Sequence, residues 1–429
     1  SESVNTCEAQ LAQWVQAAFR TAFGDGQDGA SVRVQAATDT RFGDFQCNDA
    51  MQAAKALHKA PRAVAEAVVK ALPLPPMLEK VEVAGPGFIN LTVSPSWLAE
   101  QVAALSAAPR FGLPNAGQGK TVVIDYSSPN VAKPMHIGHI RSTVIGNALD
   151  RMYRALGYRV IADNHLGDWG TQFGLLIQGY RAFLTDAERE ALTVESLERV
   201  YVQSYNRSKE EPAWLDACKA ELVKLQQGDA ENLAIWKRFI AISLDEFNRV
   251  YKRLGVSFDL YRGESFYNGT LAETVQLLQD KGMAVESEGA LIVKFEEEGL
   301  PVCIVRKSDG GFNYAATDIA TVRSRVAEFA PDRIVYVTDE RQQLHFKQFF
   351  TVCAKLGYTT HLEHVWFGLM RLPEGTFSTR QGNVIKLEAL LDEAERRALE
   401  IIKASNAEMP ESEQKELAAA IGIGAIKYA

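Results

Sequence analysis

Cysteine, histidine and long apolar runs are all scarce in this sequence. Five cysteines (Cys7, Cys47, Cys218, Cys303 and Cys353) lie far apart in 429 residues, with no C-x-x-C pair. That spacing argues against a disulfide framework or a zinc knuckle and leaves reduced packing residues. No stretch approaches the roughly 18 apolar residues of a membrane span. The first residues, SESVNTCEAQLAQW, lack the basic-then-apolar pattern of a secretory leader. The chain is therefore expected to be soluble and cytoplasmic, with no membrane partner. A phosphate-binding P-loop is missing too. GQGKT (117–121) has the right ending, but Pro114 stands at the first glycine position, and the stretch precedes a strand instead of following one. Positive charge is in deficit: 46 Lys and Arg against 54 Asp and Glu give a net charge of −8. A nucleic-acid partner would have to be held by local basic patches.

What is present is enough apolar content, 47 % of the chain, for two or three domains with real cores. Residues 1–112 read as a small α+β domain. CEAQLAQWVQAAFRTAF (7–23) has helical spacing, and KVEVAGPGFINLTV (80–93) alternates on both sides of Gly85-Pro86-Gly87 as two strands would. The Pro- and Gly-rich stretch 108–120 reads as a linker. A second domain spans 113–386. TVVIDYS (121–127), a helical pattern over 136–157 and YRVIADN (158–164) make a strand–helix–strand unit and imply a parallel sheet. A charged helical insertion at about 181–285 follows. The alternation then resumes with ALIVKF (290–295), PVCIVR (301–306), a helix over 316–329, RIVYVT (333–338), a helix over 344–356 and HVWFGLM (364–370). The segment 387–429 reads as helical. The fold class expected is α/β, a Rossmann-like parallel-sheet domain behind a small α+β domain.

Seven histidines serve the whole chain, yet His136 and His139 fall within one turn of NVAKPMHIGHIRS (130–142). The pair opens the first helix after the first strand, where a parallel sheet offers its carboxyl edge to ligands. A helix N-terminus attracts phosphate, both imidazoles could donate to the same phosphate oxygens, and Gly138 leaves room for a flat group at the backbone. Two other readings stay open on these residues alone: ordinary helix positions, or half of a metal site. Zinc asks for three or four ligands, however, and the nearest further histidine is His165. No metal ligands are assigned.

VIDYSSPNVAKPMHIGHIRSTVIG and NHLGDWGTQFGLLI together closely resemble the catalytic core of arginyl-tRNA synthetases, a branch of the class I aminoacyl-tRNA synthetases. KSDGGFNYAATDIA (307–320), FSTRQGN (377–383) and GIGAIKYA (422–429) follow in the family's order, and FGDFQCNDAM (42–51) is similar to its tRNA-contacting N-terminal domain. The resemblance implies an ATP-dependent arginine–tRNA ligase. It would form arginyl-adenylate from L-arginine and ATP with Mg²⁺, then pass the arginyl group to tRNA(Arg), working as a monomer in protein biosynthesis. His136 and His139 are similar to the two histidines that bind the ATP phosphates, with Gly138, Gly368, Ser378 and Arg380 as further ATP-site positions. For arginine, the resemblance implies Asp125 and Asp318 flanking the guanidinium with Tyr314 nearby. Ser128 and Asn130 would hold the α-amino end, and Gln342 would complete the pocket. A planar cation suits paired carboxylates. Asp318 read alone is equally a helix N-cap. His165 and Trp169 are either pocket or packing residues.

Two departures stand out. The family's mobile lysine signature is replaced by TFSTRQG (376–382), with threonine (Thr376, Thr379) at both lysine positions. Lys133, just before the paired histidines, is then the expected catalytic cation, with Arg380 as helper. The family also continues after IKYA with a helical anticodon-binding domain, and this sequence stops there, as a cut chain would. The alternatives are a synthetase-like RNA-binding or regulatory protein without aminoacylation, or a nucleotidylyl transferase of the same fold.

Overall fold

The computed structural model describes residues 6–25, 32–372, 375–376 and 385–429. The chain divides into two compact units, the first running through Ala116 and the second from Gly117 to Ala429, with 155–157 counted to the first.

In the first unit, α1 (Cys7–Phe23) leads into β1 (Val34–Ala36), β2 (Phe45–Cys47), α2 (Ala50–Leu57) and α3 (Pro61–Ala71). β3 (Leu78–Ala84), β4 (Phe88–Val93) and α4 (Pro95–Ala107) follow. The strands form one antiparallel sheet in the order β1-β2-β4-β3. Leu11, Val15 and Phe19 recur at helical spacing on α1 and meet Val64 and Val68 of α3 over Ile89 and Leu91 of the sheet. The expected turn at 85–87 joins β3 to β4. Gly85 (φ 51°) and Gly87 (φ 141°) take backbone angles that side chains disfavour, which is why glycine brackets Pro86.

The second unit opens with β5 (Thr121–Asp125), α5 (Ile140–Ala155) and β6 (Arg159–Asn164). The helical insertion is α6 (Gln172–Phe183), α7 (Asp186–Glu190), α8 (Val194–Glu210), α9 (Pro212–Gln226) and α10 (Ala230–Leu254). Then come β7 (Leu260–Tyr261), α11 (Glu264–Tyr267), α12 (Leu271–Asp280), β8 (Ala284–Ser287), β9 (Ala290–Phe295) and β10 (Leu300–Arg306). The chain ends through α13 (Tyr314–Phe329), β11 (Arg333–Asp339), α14 (Gln343–Lys355), β12 (His361–Phe367), β13 (Arg371–Leu372), β14 (Gly375–Thr376), α15 (Leu387–Ser405) and α16 (Glu411–Tyr428).

A five-stranded parallel sheet, ordered β12-β11-β5-β6-β7, forms the middle of this unit. Its strands are apolar on both faces because each face has its own core. Val122 and Ile124 of β5 and Val335 and Val337 of β11 enter one core; Val123, Ile334 and Tyr336 enter the other. Later strands add on opposite sides of β5, so its carboxyl end is the topological switch point where such sheets bind ligands.

Two elements depart from the sequence reading. ALIVKF and PVCIVR do not extend the parallel sheet: β9 pairs antiparallel with β10 on one side and with β8 on the other in a separate three-stranded sheet. Four residues ending in Gly299 join them, enough for a hairpin but far short of a parallel crossover. The stretch 181–285 is also not helical throughout, since β7 within it joins the edge of the parallel sheet. Among the described residues, no helix is long and apolar enough to cross a membrane.

Candidate active site

The loop from β5 to α5 is held in a conformation its residues do not prefer. Ser127 (φ 71°), Ser128 (φ 49°) and Ala132 (φ 69°) all take left-handed backbone angles. Each is pinned by a side chain from elsewhere. The Ser127 N–H donates to Ser142 Oγ (2.9 Å), Ser128 N–H to Asn164 Oδ1 (2.9 Å) and Ala132 N–H to Ser243 Oγ (2.8 Å). Strain locked in this way is typical of a functional loop. Asn130 pairs with Gly167, and a Cβ at 167 would sit 2.0 Å from the Asn130 amide oxygen, so any larger residue there displaces the Asn130 side chain.

The paired histidines are not on the face of an α-helix. They bracket a 3₁₀ turn, with His136 capping Ile137–His139 ahead of α5. The Gly138 N–H donates to His136 Nδ1 (3.0 Å), and the His136 N–H donates to His139 Nδ1 (3.1 Å). A backbone N–H can only donate, so both rings carry their proton on Nε2. The rings lie 4.0 Å apart, tilted by 37°. Burial, with Lys133 nearby, pulls His136 down to about 4; burial, with His136 beside it, pulls His139 down to about 3. Both are neutral at pH 7 and present Nε2–H donors. Lys133 lies with its ammonium 4.4 Å from the ring centre of Tyr201 on α8. The Gly368 carbonyl accepts from Arg141 in the first turns of α5 (2.6 Å). Ser378 and Arg380 lie outside the described residues.

A cleft of about 560 Å³ opens at the carboxyl ends of β5, β6 and β11. Asp125, Ser128, Asn130, Tyr314, Asp318 and Gln342, far apart in sequence, all line it. Asp318 sits inside α13, whose cap position is Asn313, so the N-cap alternative does not hold. Asp318 Oδ2 accepts from His345 Nε2 (2.5 Å). Asp125 already has a cation: its Oδ2 accepts from the buried Arg325 (2.8 Å), and its Oδ1 accepts from the Ser128 hydroxyl (3.1 Å). His165 lines the cleft, whereas Trp169 packs edge-on against Trp236 in the core.

Sequence reasoning missed Glu264 and His345, which also line the cleft. Glu264 starts α11, and Asp168 fastens that short helix by accepting from the Ser265 N–H (2.8 Å) and hydroxyl (2.6 Å). Burial pushes Glu264 up to about 7, against the pull of His165 and with the Asp318 and Asp168 carboxylates adding to it. Among the described residues, no lysine or arginine pairs with Glu264 or Asp318. The cleft's acids are therefore partnered differently: Asp125 shares the buried Arg325 with Asp163, Asp318 meets His345, and neither Asp318 nor Glu264 pairs with an Arg or Lys among the described residues, since Arg341, which also lines the cleft, pairs with Asp339. No group of three or more His, Cys, Asp or Glu among the described residues could hold a metal ion.

Comparison with known proteins places this geometry. The profile described as "tRNA synthetases class I (R), catalytic domain" matches residues 101–429, and "Arginyl tRNA synthetase N terminal domain" matches 9–93. The chain is 47 % identical over 399 residues to an arginine–tRNA ligase of Fusobacterium nucleatum, covering 93 % of this chain and 70 % of that one. It is 43 % identical to one from Chromobacterium violaceum, covering 97 % and 74 %. The arginyl-tRNA synthetase structure from Plasmodium falciparum superposes with a TM-score of 0.76 at 25 % identity, over 100 % of this chain and 74 % of that one. The Thermus thermophilus structure (TM-score 0.74, 21 % identity, 98 % and 74 % covered) shares the fold. A catalytic profile over most of its length, and close relatives matched almost end to end of this chain, mean that the chain belongs to the arginyl-tRNA synthetase family of class I enzymes.

Proposed function

We propose that this chain is the ATP-dependent arginine–tRNA ligase its family implies, with the guanidinium held between Asp318 and Glu264. The observation that carries this reading is a pair of cleft carboxylates, Asp318 and Glu264, with no Arg or Lys partner among the described residues. A bound guanidinium supplies the missing charge and enough N–H groups to reach both acids. Asp125, whose Oδ2 is engaged by an Arg325 shared with Asp163, keeps net negative charge at this site and takes the α-amino end together with Ser128 and Asn130. Lysine lacks the planar fork that would bridge two acids, which sets the specificity.

The arginine carboxylate attacks the α-phosphate of ATP, the bond to the β-phosphate breaks, and pyrophosphate leaves with its electrons. The Nε2–H groups of His136 and His139 then donate to the phosphoryl oxygens where charge develops. Magnesium enters as MgATP and is held by the phosphates, adding neutralising charge. A ribose hydroxyl at the tRNA 3′ end then takes the arginyl group, and AMP leaves. We further read the N-terminal unit as a tRNA contact and the working form as a cytoplasmic monomer. The decisive measurement is arginine- and tRNA-dependent ATP–pyrophosphate exchange; its absence refutes the reading.

Two predictions rest on Asp318 and Glu264. Asp318→Asn weakens arginine binding by about 10- to 100-fold, the loss of one charged hydrogen-bond partner, with Glu264 retained. Unchanged arginine affinity removes Asp318 from the pocket. Since Glu264 sits near 7 in the free protein, and a guanidinium favours its ionised form, arginine binding at pH 7 expels protons, about half a proton per site. Affinity therefore falls as pH drops below 7. Calorimetry in buffers of different ionisation enthalpy reads this release directly, and Glu264→Gln abolishes it; a proton count of zero in the parent overturns the assignment.

A further inference from the structure

The neutral histidines leave the triphosphate's charge to be met by other groups. Lys133 is one, and the backbone places a second ammonium beside it. Residues 135–137 and 385–387 form a short antiparallel bridge: the Ile137 N–H donates to the Ile385 carbonyl (3.0 Å), and the Leu387 N–H donates to the Met135 carbonyl (3.0 Å). These bonds flank the pair His136 and Lys386. In an antiparallel ladder that is the non-hydrogen-bonded pair, whose side chains leave the backbone on the same side and lie closest together. Lys386 is thus tied to the very residue that caps the phosphate-binding turn, although it lies beyond the substituted signature loop in sequence.

Both ammonium groups are tethered to one face of α8. Glu198 and Tyr201 are three residues apart on that helix, hence neighbours. Lys386 Nζ lies 3.6 Å from the Glu198 carboxylate, and Lys133 Nζ sits over the Tyr201 ring. The charge of Lys133 reaches both His136, which it depresses, and Glu198. Two cations, one carboxylate and two neutral N–H donors leave net positive charge at the start of α5, the complement of a polyphosphate.

We propose that Lys386 is a second phosphate-binding lysine that, with Lys133, takes the β- and γ-phosphates of ATP and the leaving pyrophosphate, and that Glu198 positions Lys386 while Tyr201 positions Lys133. The proposal rests on the ligase reading for the identity of the nucleotide. It assigns to Lys386 the work of the ammonium groups missing from the TFSTRQG loop.

The test compares binding of magnesium pyrophosphate, ATP and AMP to the parent chain, Lys386→Met and Lys386→Arg, by calorimetry. Lys386→Met should bind pyrophosphate and ATP about 10- to 100-fold more weakly, the loss of one charged contact. AMP, which lacks the outer phosphates, should bind as in the parent, and Lys386→Arg should recover part of the loss. Lys386 is 43 % exposed, so the variant should unfold at the parent's temperature. Tyr201→Leu should raise the KM for ATP about threefold to tenfold at unchanged kcat, while Tyr201→Phe, which keeps the ring face under Lys133, should not. Parent-like ATP and pyrophosphate binding by Lys386→Met overturns the proposal, and so does a parallel loss of AMP. A parent that binds pyrophosphate through Lys386 but exchanges no label with ATP refutes the ligase reading and leaves the phosphate site standing.

Discussion

Arg325→Met should lower the unfolding free energy by about 3–5 kcal/mol, the cost of leaving buried carboxylates without their cation. Arg325 is 1 % exposed, and its guanidinium bonds Asp125 Oδ2 at 2.8 Å and Asp163 Oδ2 at 3.2 Å. Burial works against its charge, but Asp125 and Asp163 prevail and hold it well above the usual arginine value. Methionine nearly fills the volume, so the loss reports charge and not a cavity. A triple change that also makes Asp125 and Asp163 asparagine should recover much of the stability, because no uncompensated charge then remains. Urea unfolding at pH 7 measures both. A single variant within about 1 kcal/mol of the parent means the two carboxylates do not depend on Arg325, and the electrostatic division of the cleft then fails with it.

That division marks the limit of what the sequence displayed. Buried parallel strands such as TVVID and RIVYV are apolar on both faces, so they appear as continuous runs, and the motif-bearing loop between β5 and α5 is contiguous in the chain. Of the six expected arginine-site positions that line one cleft, Asp125, Ser128, Asn130 and Gln342 lie at or just past the carboxyl ends of those strands, and Tyr314 and Asp318 come from the first turns of α13, which precedes β11. Glu264 gave no local signal: it opens a four-residue helix that is held in place by residues distant in sequence, through the Leu166 carbonyl on the Glu264 N–H and Asp168 on Ser265. Arg325 reads in sequence as one more charge on an amphipathic helix; its burial between two aspartates is a tertiary fact. His136 and His139 read in sequence as the opening of the first helix, but imidazole nitrogens that cap backbone N–H groups favour a tight turn ahead of it. The hairpin of β9 and β10 is legible in the four residues between them, too few for a parallel crossover.

The capping bonds that make the turn also make the sharpest test of the histidines. His136→Ala and His139→Ala should each slow adenylate formation by about 10²–10³, the usual loss for one donor aimed at developing charge. Alanine removes two things at once, the Nδ1 acceptor that holds the turn and the Nε2–H donor proposed to meet the phosphate. Asparagine separates them at position 136, since its side-chain oxygen falls near the site of Nδ1 and is a good cap, while nothing replaces Nε2–H. His136→Asn should therefore keep the parent's thermal stability and still lose rate by the same factor. Because burial holds His136 at about 4 and His139 at about 3, neither ring changes charge between pH 6 and 8. Single-turnover adenylation at saturating arginine should accordingly show no break near the ordinary imidazole value of about 6.5. A break there that vanishes in His136→Ala identifies the imidazolium as the active form and refutes the neutral-donor role. An Asn variant as fast as the parent reduces His136 to a cap.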